Sequence, residues 1–363
     1  MRFHLSRLSS FSFAAFLAVG LIGLGADAAE GPVVLQSLGP VAAAPDGTLL
    51  IGDPKAAKLY AVEVPVVGGA RVAPPVCADL LGAIAATAGT KTTDVTIGDL
   101  VVDQANQRAF VTASVAGEVC LFAVAGENTV TKVSLDKTGH SVKQLANPPE
   151  DKTVKRGRRS RNRRNESITD IAFQDGKVLV SGLSAGASPS RVLELAYPFA
   201  ENDITTSVEI FHAAHGRVED ATIRTFVPMV LDGKPTLLAG FTCTPLVRFR
   251  LDDFDGGDKV RGTTVAELGN WNTPLDIIVY QRGEDVFLLM NNTARGVMKI
   301  NTQGLASREG LDQRVPNGGT AGQPFEKIEG LDGVAHMAKW DDKTALVIAG
   351  TKEKPALRPI PLP

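Results

Sequence analysis

The chain contains few cysteines and few aromatic residues, and neither sign of charge is in excess. Its 363 residues include 3 cysteines and 2 tryptophans, and aromatic residues make up 6%. Three cysteines without a CxxC or CxxCH spacing exclude a disulfide scaffold and give no support to a zinc ribbon or a c-type haem. A formal net charge of -2 argues against a dedicated nucleic-acid-binding protein, because such a domain is basic overall.

Glycine and proline are also too sparse for a low-complexity or collagen-like chain. The 36 glycines and 21 prolines together make up about 16% of the sequence, whereas low-complexity chains have about 25–30%. Hydrophobic residues account for 44%, so a chain of this length can bury a large core. The length predicts two domains or one large all-β domain.

The first 28 residues have the features of a secretory signal peptide. The start is basic, Phe11–Gly25 is apolar except for one serine, and Ala26–Ala28 fits the small-x-small cleavage pattern. A membrane anchor is the alternative, but this apolar run is short for a span of about 20 residues. No later segment is long and apolar enough to span. We expect cleavage near Ala28 and a periplasmic or secreted mature chain of residues 29–363.

One unit of sequence recurs six times after this segment. Each copy has an apolar run, a polar turn, a second apolar run, a polar loop and a third apolar run. The turns carry Asp-Gly or similar pairs, as in Asp175–Lys177 and Asp232–Lys234, which predict hairpins because Gly, Asn and Asp tolerate positive φ. The copies begin near Val41, Asp99, Asp170, Arg224, Asp276 and Val334.

The spacing of the units predicts an all-β fold, a β-propeller with six blades of four antiparallel strands. Asp170 and Asp276 are 106 residues apart, or two steps of 53, and four-stranded units of roughly this length are propeller blades. Seven blades are the alternative. Val33–Leu38 is expected to complete the last blade and close the ring, which removes exposed edges. Residues 29–363 are expected to form one propeller domain, with Leu80–Ala88 as the helix candidate.

The step from Asp99 to Asp170 is longer, at 71 residues, and contains a basic segment at about 150–166. We expect this segment to be an inserted loop. A block of like charges is usually solvated and disordered, and the alternative is a contact for an anionic lipid, a polysaccharide or an acidic protein. The candidate residues for that contact are Arg156, Arg158, Arg159, Arg161, Arg163 and Arg164.

Two stretches resemble known propeller repeats. Ala44–Leu49, with its Pro-Asp-Gly turn, resembles NHL and YVTN-type repeats. Ser167–Phe199 together with Thr242–Pro245 resembles secreted bacterial propeller proteins of unassigned function. The resemblance implies the fold and no particular activity.

Acidic residues recur where the predicted innermost strands begin. Asp99, Asp170 and Asp276 each open such a strand, Asp332 lies just before one, and Arg224 takes this place in the fourth unit. A ring of carboxylates at a channel mouth repels itself unless a cation or hydrogen-bond donors lie among them. One interpretation is a metal or polar-ligand site, with Ca²⁺ favoured by oxygen ligands. The alternative is that each aspartate caps backbone N–H groups at a blade junction.

Further polar residues are expected on the same loop-rich face. His212 and His215, together with Asp220, form a candidate transition-metal set. A hydrogen-bonded loop is the alternative for this segment. Asn292 lies in an equivalent loop and is a candidate ligand contact.

The three cysteines leave two questions open. Cys243 is either a reactive thiol on the loop-rich face or a small buried apolar residue. Cys77 and Cys120 fall in neighbouring units and are the candidate pair for a disulfide in an oxidising compartment.

These observations favour a propeller that binds a small polar ligand or a protein partner on its loop-rich face. One alternative is a metal-dependent hydrolase similar to propeller lactonases, with a central cation held by Asp170, Asp276 and Asn292. Another is an accessory subunit of a periplasmic redox system, although quinone-cofactor propellers are richer in tryptophan. No Gly-rich phosphate loop, GxSxG elbow or HExxH motif occurs, so the sequence leaves open whether the chain is an enzyme.

Overall fold

The computed structural model of the chain describes residues 29–65, 73–157, 159–200, 203–257 and 259–363. The predicted signal peptide at 1–28 lies outside the described residues. Six antiparallel sheets stand around a common channel, so the predicted all-β, six-bladed propeller is confirmed.

The strands are named in chain order. The first part of the chain contains β1 (Ala29–Gly31), β2 (Val41–Ala43), β3 (Leu49–Asp53), β4 (Lys58–Val62), the helix α1 (Leu80–Ala88), β5 (Val95–Asp103), β6 (Arg108–Val115), β7 (Glu118–Ala125), β8 (Thr129–Val133), β9 (Thr138–Gln144), β10 (Thr153–Arg156) and β11 (Arg159–Asn162). The middle part contains β12 (Asp170–Gln174), β13 (Lys177–Leu183), β14 (Ser190–Ala196), β15 (Ile204–His212), β16 (Gly216–Val218), β17 (Ile223–Leu231), β18 (Lys234–Phe241), β19 (Pro245–Arg250), β20 (Val260–Arg261) and β21 (Thr263–Leu268). The last part contains β22 (Pro274–Arg282), β23 (Asp285–Asn292), β24 (Gly296–Asn301), β25 (Thr320–Gly322), β26 (Glu326–Ile328), β27 (Val334–Lys339), β28 (Thr344–Gly350) and β29 (Pro355–Pro361). Short 3-10 helices span Thr92–Asp94, Arg163–Glu166, Leu251–Asp253 and Pro316–Gly318.

Each blade begins with one inner strand that lines the channel. Blades 1 to 6 have the inner strands β2, β5, β12, β17, β22 and β27, in that order. Blades 2 to 5 each pair four main strands. Blade 1 reaches four with β9, and blade 6 pairs three strands within the part of the chain that the structure describes.

The order of blades around the ring differs from their order in the sequence. Strand β9 pairs with β4, so blade 2 is inserted between the third and fourth strands of blade 1. The inner strands contact one another in the circular order β2, β12, β17, β22, β27, β5 and back to β2. Blade 2 therefore lies between blades 1 and 6. The long step from Asp99 to Asp170 thus contains a strand of blade 1 as well as the basic segment.

The hydrophobic core lies between the blades, and each second strand is buried on both faces. Leu49 and Ile51 of β3 pack toward blade 2, whereas Leu50, on the opposite face of the same strand, packs toward blade 3. All three side chains are at most 1% exposed. Burial on two faces explains why such strands are continuous apolar runs in the sequence rather than alternating ones.

The hairpins predicted from Asp-Gly pairs are present. Asp175 and Gly176 join β12 to β13, and Asp232 and Gly233 join β17 to β18. Both central residues of each turn have positive φ, at 49° and 77° in the first and 46° and 72° in the second. Such turns match the twist of the strands that they connect.

The predicted closure of the ring by Val33–Leu38 is wrong. The N-terminal strand β1 pairs with β9 at the outer edge of blade 1. The edge of blade 6 is instead bonded by Cys77, whose N–H donates to the Leu357 carbonyl (2.8 Å) and whose carbonyl accepts from Leu357 N–H (2.9 Å). Val33 and Leu35 pack in the core between blades 1 and 2, so this run does not pair with β29.

The predicted helix candidate is confirmed with the same bounds, Leu80–Ala88. Asp79 caps it by accepting from Gly82 N–H (2.9 Å), and Gly89 ends it in the left-handed conformation. Its buried side chains Leu80 and Ile84 join the core between blades 2 and 6. No helix among the described residues is long and apolar enough to cross a membrane.

Candidate functional site at the channel mouth

A cavity of about 240 Å³ lies at the mouth of the central channel, and every blade contributes to its wall. Its lining includes Pro40, Asp99, Asp170, Arg224, Asp276 and His336, one residue from each blade. The inner strands of a propeller converge on the axis, so residues far apart in the sequence meet there. Four of the five predicted ring residues line this cavity.

The three aspartates of the cavity link neighbouring blades. Each accepts a hydrogen bond from a backbone N–H on the inner strand of the next blade. The bonds run from Val41 to Asp99 Oδ2 (2.8 Å), from Phe226 to Asp170 Oδ2 (2.7 Å) and from Met337 to Asp276 Oδ2 (2.8 Å). The aspartates stand on every second blade and connect the blades in three pairs. This arrangement gives them a structural role at the blade junctions.

A second relationship joins two of these aspartates to a histidine. Asp99, Asp276 and His336 each place a ligand atom within 4.8 Å of the other two. His336 Nδ1 lies 3.4 Å from Asp99 Oδ1. All three side chains are half-buried. Two carboxylates and an imidazole therefore converge on one point between blades 2, 5 and 6.

Backbone irregularities aim these side chains at the channel. Four of the inner strands have a break in register, located at Ile97/Leu100, Ile223/Thr225, Pro274/Ile277 and Val334/His336. Asp99, Arg224 and Asp276 lie inside these breaks, and His336 lies at the end of one. A bulge turns a side chain out of the regular alternation, and bulges are frequent next to functional sites.

Buried polar groups hold the two aspartates of the cluster from behind. Asp99 N–H donates to Thr112 Oγ1 (2.9 Å), and Asp276 N–H donates to Asn291 Oδ1 (2.8 Å). The Asn291 amide also donates to the carbonyl of Val334 (3.1 Å), two residues before His336. These bonds fix the carboxylates and the histidine strand relative to one another, as is common around functional groups.

The surroundings shift the protonation of the cavity. Burial raises the pKa of Asp170 to about 8, although backbone N–H groups of Phe226 and Ile171 oppose the shift. Burial also raises the pKa of Asp276, while the charge of His336 lowers it. Burial lowers the pKa of His336, but the hydrogen bond to Asp99 and the two carboxylate charges outweigh it, so the net shift is upward. Asp170 and Asp276 thus hold their protons to a higher pH than free carboxyl groups do, as expected of carboxylates that lie close together away from water.

Asp332 lies outside the cavity. Its side chain is exposed and pairs with Lys327 (3.2 Å). Arg224 lines the cavity, and its Nη1 lies 3.6 Å from Glu166 Oε1. His336 was missed by the sequence analysis, which looked for aspartates at strand starts. Its place as the third residue of β27, matching Asp276 as the third residue of β22, is the signal that was available.

The candidate metal set of His212, His215 and Asp220 is not brought together. Among the described residues these three do not form a cluster of ligand atoms. The rings of His212 and His215 are in edge contact, 4.9 Å apart. His212 is buried and accepts from Ala214 N–H (3.1 Å), which lowers its freedom to bind an ion. Asp220 pairs with Arg163 (3.1 Å) instead.

Cys243 and Asn292 take structural places near the loop-rich face. Cys243 is partly buried in a turn with φ of 65°, and its N–H donates to the Asn272 carbonyl (2.8 Å). Asn292 is buried, and its Oδ1 accepts from Arg295 N–H (2.8 Å). Neither residue lines the cavity at the channel mouth.

The predicted disulfide is not formed. Cys77 and Cys120 are both buried and both free. Burial raises the pKa of each thiol. Both cysteines belong to the core between blades 2 and 6, where they act as small apolar residues.

The basic segment forms a hairpin of β10 and β11, followed by a 3-10 helix. Three of its arginines bond to the propeller or to the segment itself: Arg161 to Glu166 and to Thr222 Oγ1 (2.9 Å), Arg163 to Asp220 (3.1 Å), and Arg164 to the carbonyl of Pro149 (2.6 Å). The side chains of Arg156, Arg158 and Arg159 lie outside the described residues. Glu166 contacts both Arg161 and Arg224, so it ties the base of the hairpin to the wall of the cavity.

Comparisons with known proteins find distant structural likeness only. No family model matches the chain, and no curated protein matches it. Among solved structures it is similar to Drosophila Semaphorin 1b, extracellular domains 1-2, at 11% identity and a TM-score of 0.42, over 92% of this chain and 88% of that one. It is also similar to a PQQ-bound aldose sugar dehydrogenase from Streptomyces coelicolor, at 10% identity and a TM-score of 0.29, over 91% of this chain and 97% of that one.

A third similarity is to a candidate 6-phosphogluconolactonase from Bacteroides uniformis, at 10% identity and a TM-score of 0.33, over 87% of this chain and 74% of that one. Similarity at this level carries no argument about activity. The propeller assignment rests on the strand pairing and the circular contacts of the inner strands.

Proposed function

We propose that the protein is a β-propeller that binds a small polar ligand through a divalent cation at the channel mouth. The observation that carries this proposal is the convergence of Asp99, Asp276 and His336 within 4.8 Å. Ligand atoms bound to one transition-metal ion at about 2.0–2.2 Å are at most about 4.4 Å apart. The separations in the cluster are therefore close to those that one bound ion requires.

The donor set favours a transition metal over Ca²⁺. Calcium prefers sites made of oxygen ligands alone, whereas an imidazole with carboxylates suits Mn²⁺, Fe²⁺ or Zn²⁺. Burial raises the pKa of Asp276, and the hydrogen bond and charges of the carboxylates raise the pKa of His336, so both groups hold protons that a cation has to displace. A cation would replace the protons that these groups otherwise share, because metal ligands bind in their deprotonated forms.

Three protein ligands leave coordination positions open toward the cavity. A ligand oxygen can occupy them, and Arg224, from blade 4 next to the blade of Asp276, supplies a positive group for an anionic part of the ligand. The second candidate function is metal-dependent hydrolysis, lactonase-like, and the specific observation in its favour is this open side of the cluster. For that reaction, Asp99, Asp276 and His336 replace the set of Asp170, Asp276 and Asn292 that the sequence suggested.

Calorimetric titration of the mature chain with Mn²⁺, Zn²⁺ and Ca²⁺ tests the proposal. We expect one site, with affinity reduced at least tenfold in Asp276→Asn and in His336→Ala. Asp332→Asn and His215→Ala are the matched controls. They make the same two substitutions at exposed residues outside the cavity. Asparagine at 276 keeps an acceptor for Met337 N–H, so folding is preserved. Loss of binding in His215→Ala, with His336→Ala unchanged, would overturn the assignment.

The sequence analysis also predicted secretion, a resemblance to known repeats, an anionic-surface contact and a redox role, and these remain predictions. Secretion after cleavage near Ala28 and the resemblance to NHL and YVTN-type repeats both fit an extracytoplasmic binding protein. The basic hairpin is proposed as a contact for an anionic surface, to be recognised by binding that weakens with salt. The role as a redox accessory subunit stays a prediction, because no contact among the described residues bears on it.

A further inference from the structure

We infer that a cleft between blades 2 and 6 receives the hydrocarbon part of the ligand, which makes the ligand a small amphiphile. The cleft has a volume of about 470 Å³, within the usual range for small-molecule sites. It opens beside the candidate cation cluster. The identity of the polar head rests on the proposed function, whereas the hydrocarbon site rests on the cleft alone.

The walls of the cleft are mainly apolar. Leu81 comes from α1, Val95 and Ile97 from blade 2, and Ile348 and Pro355 from blade 6. The polar side chains of the lining are Thr96, His336, Thr351 and Lys352. Against the remaining, apolar part of the wall, a sugar or another densely hydroxylated group would lose hydrogen bonds with water. A short acyl chain or a ring would instead gain from removal of apolar surface from water.

The position of the cleft follows from how the ring closes. Of the blades that neighbour each other in the ring, blades 2 and 6 are furthest apart in the sequence, and α1 packs across their junction. Gly333 and Gly350 form part of the wall without a side chain. A Cβ on Gly333 would lie 3.1 Å from the Gly350 carbonyl, and Gly333 has a φ of 69°, so this wall stays open only with glycine there.

The cleft and the channel mouth adjoin each other at β27. Ala335 and His336 line both cavities. A ligand with its oxygen-bearing head at Asp99, Asp276 and His336 can therefore extend past Ala335 into the apolar space. Lys352 lies at the cleft and is exposed, which adds one positive group at its outer edge. Because the apolar cleft adjoins the candidate cation site, an amphiphile fits the two better than a wholly apolar molecule does.

Uncharged 1-alkanols test the cleft independently of any cation. In protein treated with a chelator, 1-butanol to 1-octanol are titrated against bound Nile red, an uncharged dye that reports apolar sites. We expect the displacing affinity to rise about fourfold per added methylene, from about 0.8 kcal/mol of burial for each. Thr96→Trp, at an exposed residue of the cleft wall, is expected to remove this dependence.

Thr129→Trp is the matched control, because Thr129 is also an exposed threonine on a strand of blade 2 but lies outside the cleft. Ala335→Leu is the second variant: it enlarges an exposed residue that lines both cavities and is expected to weaken alkanol binding. Equal chain-length dependence in Thr96→Trp and Thr129→Trp would overturn the inference. So would the absence of any dependence in the unmodified chain.

Alkanoates in the presence of Mn²⁺ then connect the cleft with the cation. We expect octanoate to bind at least tenfold more tightly with Mn²⁺ than without it, and Asp276→Asn to remove this gain. A chain-length effect for alkanols with no Mn²⁺ gain for alkanoates would leave the hydrocarbon site standing and contradict the cation. Mn²⁺ binding without any chain-length effect would contradict the cleft and leave the cation site standing.

Discussion

Asp99 and His336 face each other across the junction of blades 2 and 6, with Asp99 Oδ1 3.4 Å from His336 Nδ1. Their strands are neighbours because blade 2 is inserted into blade 1 and so lies next to the last blade. The same Asp99 bonds to Val41 N–H of blade 1 through its other oxygen. One carboxylate thus helps to hold three blades together and also belongs to the candidate cation site.

The hydrogen bonds between blades also explain how three half-buried carboxylates are stabilised in one channel. Each aspartate of the channel is held by at least one backbone N–H, and such donors stabilise a carboxylate away from water. Asp276 and Asp99 have His336 beside them as well, whereas Asp170 does not belong to that cluster. The cluster therefore lies on one side of the channel, toward the apolar cleft.

Cation affinity is expected to increase as the pH rises from about 6 to about 8. The pKa values of Asp276 and His336 are both raised above their ordinary values of 3.8 and 6.5. Both groups must lose their protons before they bind a metal ion, so protons compete with the cation at the lower pH. Calorimetric titration with Mn²⁺ in two buffers of different ionisation enthalpy would count the released protons. An affinity that does not change over this range would contradict the assignment of these ligands.

The thermal stability of the chain is expected to fall as the pH rises from about 4 to about 8, in part because of Asp170. Burial raises the pKa of this carboxyl from 3.8 to about 8. Between these values the folded state binds more protons than the unfolded state, so the free energy of unfolding decreases with pH. Asp170→Asn cannot ionise, and its midpoint should fall by at least about 2 °C less than that of the unmodified chain.

Asp175→Asn serves as the control for that measurement, because Asp175 is an exposed turn residue at which asparagine tolerates the positive φ. It should keep the pH dependence of the unmodified chain. The same slope in Asp170→Asn and Asp175→Asn would show that Asp170 is not the group responsible.

The local structure followed from the sequence more closely than the order of the blades did. Turn pairs such as Asp175-Gly176 and the capped helix at Leu80–Ala88 depend on neighbouring residues, and both were predicted. The pairing of β9 with β4 joins segments separated by all of blade 2. Several strands have similar apolar patterns, so the sequence alone did not distinguish this partner for β4 from the next strand in line.

The candidate site, too, was predicted where it depends on local sequence and missed where it depends on long-range pairing. Asp99, Asp170 and Asp276 were expected at one channel mouth because they recur at the start of predicted inner strands, and the structure brings all three to one cavity. His336 matches Asp276 in its position on the strand but not in residue type, and the bulge that directs it depends on the register with β28. Asp332 is an aspartate close to the start of an inner strand, as the prediction required, but it lies in the exposed loop before β27.

Cys243 is expected to be the one thiol of the folded chain that reacts with an aqueous thiol reagent. Cys77 and Cys120 are buried, and burial raises the pKa of both, so they remain protonated and shielded. Titration with Ellman's reagent should detect about one thiol in the native protein and all 3 in denaturant. Cys243→Ser should abolish the native reaction. Two or more fast-reacting thiols would mean that the core between blades 2 and 6 opens in solution.

Cys77→Pro is expected to weaken the closure of the ring. Proline removes the N–H that donates to the Leu357 carbonyl at the edge of blade 6, whereas Cys77→Ala keeps both backbone bonds to Leu357. The free energy of unfolding of the proline variant should therefore be about 1–3 kcal/mol lower than that of the alanine variant, since the buried carbonyl loses its donor. Chemical denaturation followed by fluorescence measures the difference. Equal stability of the two variants would show that this backbone pair does not close the propeller and that the helix packing between blades 2 and 6 does so instead.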